Sequence, residues 1–289
     1  MASRSNVADL EIRPASEADA EPAYAVLEAC KLGPWFELGL DHFRNWWWPT
    51  YAGIWVAEID GTVGYSAARG ESVEVYVLPA FRRRGTGSRL LAPAEGAVEG
   101  PRIEATTRRD EPAAAPFLAS HGYERANETW LMQVELSEAI PPPSWSDGMA
   151  PRTFRVEEAA WVKELLDVAY AEEPGFTKQP FAQWKRFMLA DASFEPESWF
   201  VVEAPDGSLA AAALNWKEGF VKDLVVHPTY RRRGLGAALL QHTFRHFSAR
   251  GVERVTLKTD ARNTSQAWRL YERVGMRTIR TYDDWEKGR

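Results

Sequence analysis

Two short basic stretches contain the residue types that bind phosphate groups. The chain reads RRRGTG at 82–87 and RRRGLG at 231–236, and each stretch follows an apolar run that ends in Val-x-Pro. Glycines at the start of a helix let an anion approach the unpaired amides of the first turn, where the helix dipole is positive. The arginines add positive charge beside these amides. Two other phosphate loops are excluded, because neither stretch has the GxxxxGK of a P-loop or the GxGxxG of a Rossmann turn.

The same stretches belong to an internal repeat. Residues 74–91 and 223–240 align without a gap at an offset of 149, with nine identities in 18 positions. Solenoid repeats have periods of roughly 20 to 50 residues, so each copy here is expected to be a whole domain. Three consecutive prolines at 141–143 mark the boundary, because such a run cannot continue a helix or a central strand. The sequence therefore predicts a first domain over 1–140, a Pro-rich linker over 141–151 and a second domain over 152–289.

The elements that must position the loops follow from the spacing of apolar residues. In the second copy this spacing predicts a strand over 221–226, a helix over 236–250 and a strand over 252–257. A further helix is expected to be capped by Asn263 or Thr264. Strands and helices alternate in this way in both copies. The predicted fold class is α/β, with two domains that each contain a twisted mixed sheet with helices on both faces.

The composition excludes several classes of protein. Hydrophobic residues make up 45% of the chain and charged residues 26%, which is too apolar for general disorder. The net charge of −6 argues against a nucleic-acid groove or a polybasic membrane patch. There is no apolar run of about 18 residues and no signal-peptide pattern. A cytoplasmic protein that binds neither nucleic acid nor membrane is expected.

Metal and disulfide chemistry are not expected. Cys30 is the single cysteine, so an intrachain disulfide and a cysteine-based metal site are both excluded. His242 and His246 have a spacing that could bind a metal ion on one helix face. No HExxH pattern frames them, and a solvated helix face explains the spacing better. Cys30 also lies far from either loop in sequence, which argues against a covalent cysteine route.

Taken together, the loops and the segment after them resemble a known family. An Arg-x-x-Gly-x-Gly loop after a Val-x-Pro strand resembles motif A of the GCN5-related N-acetyltransferases, the GNAT family. In the second copy, DARNTSQAWRLYERVGM at 260–276 resembles the family's following segment. The resemblance covers nearly the whole chain, as two family domains in tandem. Its layout is similar to that of the mycothiol synthase group and other two-domain actinobacterial acetyltransferases. It implies acetyl-CoA as cosubstrate and transfer of an acetyl group to an amine.

The resemblance also assigns the cosubstrate site. It places the pyrophosphate on loop amides and the pantetheine arm on the strand before the loop, where one amide would stabilise the oxyanion. Arg231 stands at the family's Arg/Gln position. The residues matched in the second copy are Leu224, Val225, Val226, Arg231, Arg232, Arg233, Gly234, Leu235, Gly236, Ala237, Asn263 and Ala267. Those matched in the first copy are Val77, Arg82, Arg84, Gly85 and Gly87.

Two residues of the second copy are the catalytic candidates. By resemblance, Tyr271 stands where the family protonates the departing CoA thiolate, and the alternative is a tyrosine packed under the sheet. Asp223, on the strand beside the acetyl site, is the candidate base for the attacking amine. A strand-end carboxylate paired with an arginine explains it equally well. His227 is a second candidate base, and Glu74 matches Asp223 in the first copy.

The first copy departs from the family pattern. Asp110 stands where the second copy has Asn263, and Leu118 stands where it has Tyr271. Pro112 and Pro116 also disfavour a regular helix in this last segment. The first domain is therefore predicted to be non-catalytic, with a structural role, a part in the substrate cleft or an idle cofactor site.

The acceptor remains open at this stage. Segments 32–53 and 174–198 fall where the family builds its substrate wall. A cationic or aromatic amine could be recognised there, and ordinary packing explains the same residues equally well. These candidates are Phe176, Phe181, Trp184, Asp191, Glu195 and Glu197.

A small-molecule or peptide amine is the expected acceptor, and the chain is expected to be a monomer. The alternative functions are a non-catalytic acyl-CoA sensor and a transferase for a longer acyl group.

Overall fold

The two copies of the repeat fold into two units. The computed structural model describes residues 10–30, 39–136, 140–145, 148–173, 176–263 and 266–289, except for the side chain of Trp46. The first unit contains the described residues up to Asn127 together with Tyr282–Arg289, and the second contains Glu128–Thr281. Within the described part of the chain, no helix is long and apolar enough to cross a membrane.

The helices and strands have the following bounds. The first half contains β1 (Glu11–Pro14), α1 (Ala20–Cys30), α2 (Leu40–His42), β2 (Gly53–Glu58), β3 (Thr62–Arg69), β4 (Ser72–Val77), α3 (Thr86–Gly96), β5 (Arg102–Arg108), α4 (Ala114–Ser120) and β6 (Glu124–Glu135). The second half contains β7 (Pro151–Thr153), α5 (Ala159–Tyr170), α6 (Phe181–Leu189), β8 (Phe200–Glu203), β9 (Leu209–Trp216), β10 (Phe220–Val226), α7 (Leu235–Ala249), β11 (Arg254–Asp260), α8 (Ala267–Arg273) and β12 (Arg277–Gly288).

Each unit contains a mixed sheet. In the first unit the strands β1 to β5 lie in sequence order, with β4 and β5 parallel and the other neighbours antiparallel. In the second unit β7 to β11 lie in the matching order, with β10 and β11 parallel. Parallel strands need a crossover connection, which α3 supplies in one unit and α7 in the other. The predicted α/β class is confirmed.

One strand in the sheet of each unit comes from the other half of the chain. Tyr282–Gly288 pairs antiparallel with β5 in the first unit. Thr129–Glu135 pairs antiparallel with β11 in the second unit. The units therefore differ from the expected linear domains 1–140 and 152–289. An antiparallel partner needs only an open strand edge of suitable length, which either terminal strand could satisfy.

An equivalent group of ion pairs, here called the ionic clamp, lies at the start of each unit. Arg13 on β1 binds Asp19 at 2.7 Å, and Arg152 on β7 binds Glu158 at 2.7 Å. Each arginine also pairs with a glutamate on the neighbouring strand. The Arg13 hydrogen bonds hold the pKa of the Asp19 carboxyl well below its usual range. The clamp ties the first strand of each unit to the start of its first long helix.

The elements around the second loop lie close to their predicted bounds. The helix predicted over 236–250 spans Leu235–Ala249, and the strand predicted over 221–226 spans Phe220–Val226. The cap of α8 was predicted wrongly at Asn263, because Gln266, with a φ of 52°, directly precedes this helix. The alternative cap, Thr264, lies outside the described residues.

We expect Trp285→Ala to destabilise the full chain by about 3–5 kcal/mol, since it deletes a large core side chain. Trp285 is 8% exposed, and its Nε1 donates to Thr107 Oγ1 at 2.9 Å. Ile279 lies on the same strand and is 50% exposed. Ile279→Ala should therefore change the free energy of unfolding by no more than about 0.5 kcal/mol. Urea unfolding measures both variants, and equal effects would contradict the assignment of Tyr282–Gly288 to a packed sheet.

Candidate active site

The two glycine-rich loops share an unusual backbone conformation. Arg83 and Arg232 have φ angles of 60° and 62°, and Gly85 and Gly234 have angles of 81° and 83°. A left-handed arginine is strained, and such strain concentrates at functional sites. Alternating right- and left-handed residues form a concave nest that directs successive N–H groups at one point. The same nest at two equivalent positions favours an anion cradle before each helix.

The first arginine of each loop has a structural role. Arg82 Nε donates to the Val77 carbonyl at 2.9 Å, and Arg231 Nε donates to the Val226 carbonyl at 3.3 Å. Arg231 Nη2 also donates to the Ala169 carbonyl at 2.9 Å. These side chains tie the strand end to the loop. The charge presented to solvent at the second loop comes from the exposed Arg232 and Arg233, with Arg233 stacked on the Tyr230 ring.

In the second unit the two parallel strands stop pairing before they reach the loop. β10 and β11 pair at Phe220–Thr256 and Val221–Leu257, and the register of β10 against β9 then shifts between Val221 and Asp223. Beyond this bulge β10 stays paired with β9 alone. Because the amide of His227 donates to β9 and strand amides alternate, those of Leu224 and Val226 face the opened gap.

The catalytic candidates of the second unit lie together at this gap. The Tyr170 hydroxyl donates to Asp223 Oδ1 at 2.9 Å, and Lys222 Nζ lies 3.6 Å from Oδ2. Tyr271 is 8% exposed. Its burial, together with the nearby carboxylates of Asp223 and Glu173, raises the pKa of Tyr271 above its usual value. Sequence reasoning missed Tyr170, which has no motif and meets Asp223 only through the fold.

The other predicted residues of the second unit occupy the turns around the gap. His227 Nδ1 accepts the amide of Thr229 at 3.3 Å, so this ring caps the turn after β10. Asn263 lies in the turn after β11, where its amide donates to the Asp260 carbonyl at 3.2 Å. Ala267 begins α8 and packs against the core of the unit.

A cavity of about 350 Å³ opens beside the loop of this unit. Its lining joins the Pro-rich segment to the first turns of α7. The lining residues are Ser144, Trp145, Arg233, Gly234, Ala237, Ala238 and Gln241.

A larger cleft, of about 660 Å³, lies in the first unit. β4 and β5 pair at Ser72–Glu104 and then part, as β10 and β11 do, although β4 keeps an unbroken register with β3. The cleft is lined on the loop side by predicted residues Val77, Arg82, Gly85 and Gly87. Arg84 does not line it, and its guanidinium lies 5.5 Å from the Phe81 ring.

Sequence reasoning assigned the far side of this cleft only in part, through Glu74, which matches Asp223, and Trp47, which falls in the proposed wall segment 32–53. Glu74, Tyr76, Trp47 and Arg69 line that side. Tyr282 also lines the cleft, on the strand of the second half of the chain that pairs with β5. No local sequence pattern could reveal this position. The first copy therefore has an open cleft lined by charged and aromatic side chains, in addition to any structural role.

Several proposed acceptor-binding residues have structural partners instead. Glu195 binds Arg250 at 2.8 Å and accepts from Ser198 at 2.6 Å. Trp184 is 6% exposed and packs near Trp199 in the core. Asp191 accepts the amide of Ser193, Glu197 lies exposed in its loop, and Phe176 and Phe181 are exposed rings. Residues 32–38 and 174–175 of the proposed walls lie outside the described residues.

The cysteine and histidine candidates are packed against neighbouring side chains. Burial raises the pKa of the Cys30 thiol, which donates to the Val77 carbonyl. The His242 ring lies 4.5 Å from the Phe200 ring, and burial lowers the pKa of both His242 and His246. Among the residues described, no group of acidic, histidine or cysteine side chains could hold a metal ion.

Comparison with known proteins gives matches over both halves. A model described as "Acetyltransferase (GNAT) family" matches residues 159–276, and one described as "Acetyltransferase (GNAT) domain" matches residues 50–125. The mycothiol acetyltransferase of Salinispora tropica is 32% identical over 236 residues, 76% of this chain and 74% of that protein. That of Thermobispora bispora is 34% identical over 218 residues, 71% and 72% of the two chains.

Solved structures share the fold over nearly the whole length. A GCN5-related N-acetyltransferase from Sphaerobacter thermophilus is 23% identical with a TM-score of 0.80, covering 97% of this chain and 96% of that chain. A tandem GNAT protein from the clavulanic acid biosynthesis pathway is 19% identical with a TM-score of 0.73, covering 97% and 98%. At these identities the similarity extends to the fold alone.

We expect Glu195→Gln to lower the free energy of unfolding at pH 7 by about 1–2 kcal/mol, because its half-exposed ion pair with Arg250 is lost. Hydrogen bonds from Arg250 lower the pKa of Glu195 to about 2. A depressed carboxyl pKa stabilises the fold above the unfolded value of about 4.3. The difference from wild type should shrink as the pH falls from there through about 2.

Urea unfolding across this pH range measures the effect. Glu164→Gln, at an exposed glutamate on α5, is the matched control and should leave the stability unchanged. A Glu195→Gln protein of wild-type stability that fails to bind an amine acceptor would instead support a recognition role for this residue.

Proposed function

The chain belongs to the GNAT acetyltransferase family, with two family domains in tandem, and on this premise we propose that it transfers acetyl from acetyl-CoA to a primary amine. The reaction is proposed to occur in the second unit. The observation that carries this proposal is that Tyr271 packs in one core cluster with Val221 and Leu257, at the point where β10 and β11 part beside Asp223.

The second unit offers hydrogen-bond donors to two parts of acetyl-CoA, the pyrophosphate and the pantetheine arm. The nest from Arg232 to Ala237 offers amides and two exposed arginines to the pyrophosphate. The amides of Leu224 and Val226, freed by the parting of the strands, offer donors to the extended pantetheine arm. A donor of this kind can also hold the thioester oxygen as it gains charge.

The side chains supply the proton transfers. The amine nitrogen attacks the thioester carbonyl, the C–S bond breaks, and the amine proton passes to the Asp223 carboxylate. The Tyr271 hydroxyl gives its proton to the CoA thiolate. The Tyr271 phenol is protonated at neutral pH, as an ordinary phenol is, and its raised pKa makes it a weaker acid that gives up its proton only to the basic thiolate formed as the C–S bond breaks. The buried thiol of Cys30 does not offer a nucleophile, which favours direct transfer.

We propose a small molecule as the acceptor, since several relatives carry the name mycothiol acetyltransferase. The amine of a peptide is the second candidate acceptor. The alternative of an acyl-CoA sensor predicts binding without turnover, and a longer acyl group predicts faster turnover of a longer thioester.

We expect Tyr271→Phe to lower kcat by about 10²–10³-fold while leaving acetyl-CoA affinity close to wild type, because only the proton donor is lost. Release of free CoA thiol with a panel of small-molecule and peptide amines measures turnover. Tyr170→Phe is the matched variant, and its effect should be much smaller since it removes only a hydrogen bond to Asp223. Full turnover by Tyr271→Phe would refute the assigned donor, and binding without turnover in the wild type would favour the sensor.

A further inference from the structure

We propose that the cleft of the first unit binds a small zwitterion of the amino-acid class, with its ammonium group at Glu74 and its carboxylate at Arg69. This site goes beyond acetyl transfer in the second unit, and it does not require that transfer. Both side chains line the cleft of about 660 Å³, on the side away from the loop.

The negative end of the site has unused hydrogen-bonding capacity. The Tyr51 hydroxyl donates to Glu74 Oε2 at 3.0 Å, and Oε1 has no partner within the described ranges. Burial raises the pKa of Glu74, and this effect is only partly offset by Arg69 and Tyr51. A buried carboxylate of this kind is stabilised when a cation meets it. An ammonium group at Oε1 would supply that charge.

The positive end also has unused donors. The Arg69 guanidinium lies 4.3 Å from the centre of the Trp47 ring and 5.6 Å from that of Tyr51. Its one hydrogen bond to a described residue is a long one, 3.5 Å from Nη1 to Thr50 Oγ1. Stacking on two rings holds the planar group in place, and a guanidinium binds a carboxylate through two parallel hydrogen bonds. Arg69 is thus oriented and still has free N–H groups.

A third polar group lies behind these two. Tyr65 is fully buried, and its hydroxyl has no hydrogen-bond partner in the described part of the chain. Its ring stacks on that of Tyr76 at 5.0 Å, and Tyr76 lines the cleft. Buried polar groups are seldom left without a partner, so the Tyr65 hydroxyl behind the cleft, beside two charged groups that are only partly hydrogen-bonded, points to a polar ligand.

The presence of both charges selects the class of ligand. No ion pair joins Arg69 to Glu74 in the described structure, so each can accept a partner of opposite charge. A simple amine or a simple acid would satisfy one group and leave the other unpaired in a cleft of low polarity. A molecule with an amine and a carboxylate a few atoms apart satisfies both.

The second unit does not repeat this arrangement. By sheet register, Arg69 opposite Ser72 corresponds to Asn215 opposite Val221. Asn215 is a buried neutral amide that donates to the Ser198 carbonyl at 2.6 Å. Recognition of a carboxylate is therefore a property of the first unit.

Calorimetry on the full chain with the common protein α-amino acids and 4-aminobutanoate tests the proposal. We expect at least one of them to bind. Its carboxamide, which lacks the carboxylate charge, and its N-acetyl form, which lacks the ammonium charge, should each bind at least about tenfold more weakly. This comparison needs no protein variant, so it holds even where a substitution disturbs folding.

The variants locate the site. Arg69→Gln and Glu74→Gln should each weaken binding by about tenfold or more. The control Arg44→Gln changes an exposed arginine elsewhere in the first unit and should leave amino-acid binding unchanged. Tyr271→Phe in the second unit should also leave it unchanged. Urea unfolding confirms that each variant is folded.

Three results would overturn the proposal. They are no binding by any of these amino acids, equal binding of an amino acid and its amide, and wild-type binding by a folded Arg69→Gln protein. If the wild type binds an amino acid but does not turn over acetyl-CoA with any amine, acetyl transfer is refuted and this site stands.

Discussion

The candidate site depends on the point at which two parallel strands stop pairing. In the second unit that point follows Val221 and Leu257, where a bulge at Lys222 shifts β10 against β9. Strand amides that lose their neighbour must find another partner or remain costly to bury. An extended chain with its own carbonyls and amides is such a partner, so the gap is suited to a ligand like the pantetheine arm. The nest at the end of β10 then places donors for phosphate where that arm would end.

The two units apply this design differently. The second unit has the bulge, the buried phenol of Tyr271 and the carboxylate of Asp223, which suit proton transfer at a reacting thioester. The first unit has an unbroken β4 register and Leu118 in its core, yet its cleft contains charged groups of both signs. One duplicated framework can thus carry the proposed catalytic gap in one unit and the proposed recognition cleft in the other.

The sequence predicted the fold and the loops because both are local in origin. The repeated Arg-x-x-Gly-x-Gly pattern forces a left-handed turn before a helix, and apolar spacing gave the elements around Asp223 to within a few residues. The exchanged strands could not be predicted, because pairing of Tyr282–Gly288 with β5 depends on a contact between distant parts of the chain. For the same reason no pattern pointed to Tyr170 beside Asp223. Glu195 was interpreted as a possible ligand because an acidic residue in a loop gives no sign of its arginine partner.

The most direct test of the central claim is acetyl-CoA binding by calorimetry to the wild type, Ala237→Glu and Ala237→Gln. Ala237 lies in the first turn of α7, where an acidic residue favours the helix and should not disturb the fold. Its charge would repel a phosphate at the nest, whereas glutamine has the same size without the charge. The account predicts that the glutamate variant loses the acetyl-CoA site of the second unit and that the glutamine variant retains it. Wild-type binding by the glutamate variant, or no binding by the wild type, would contradict the account.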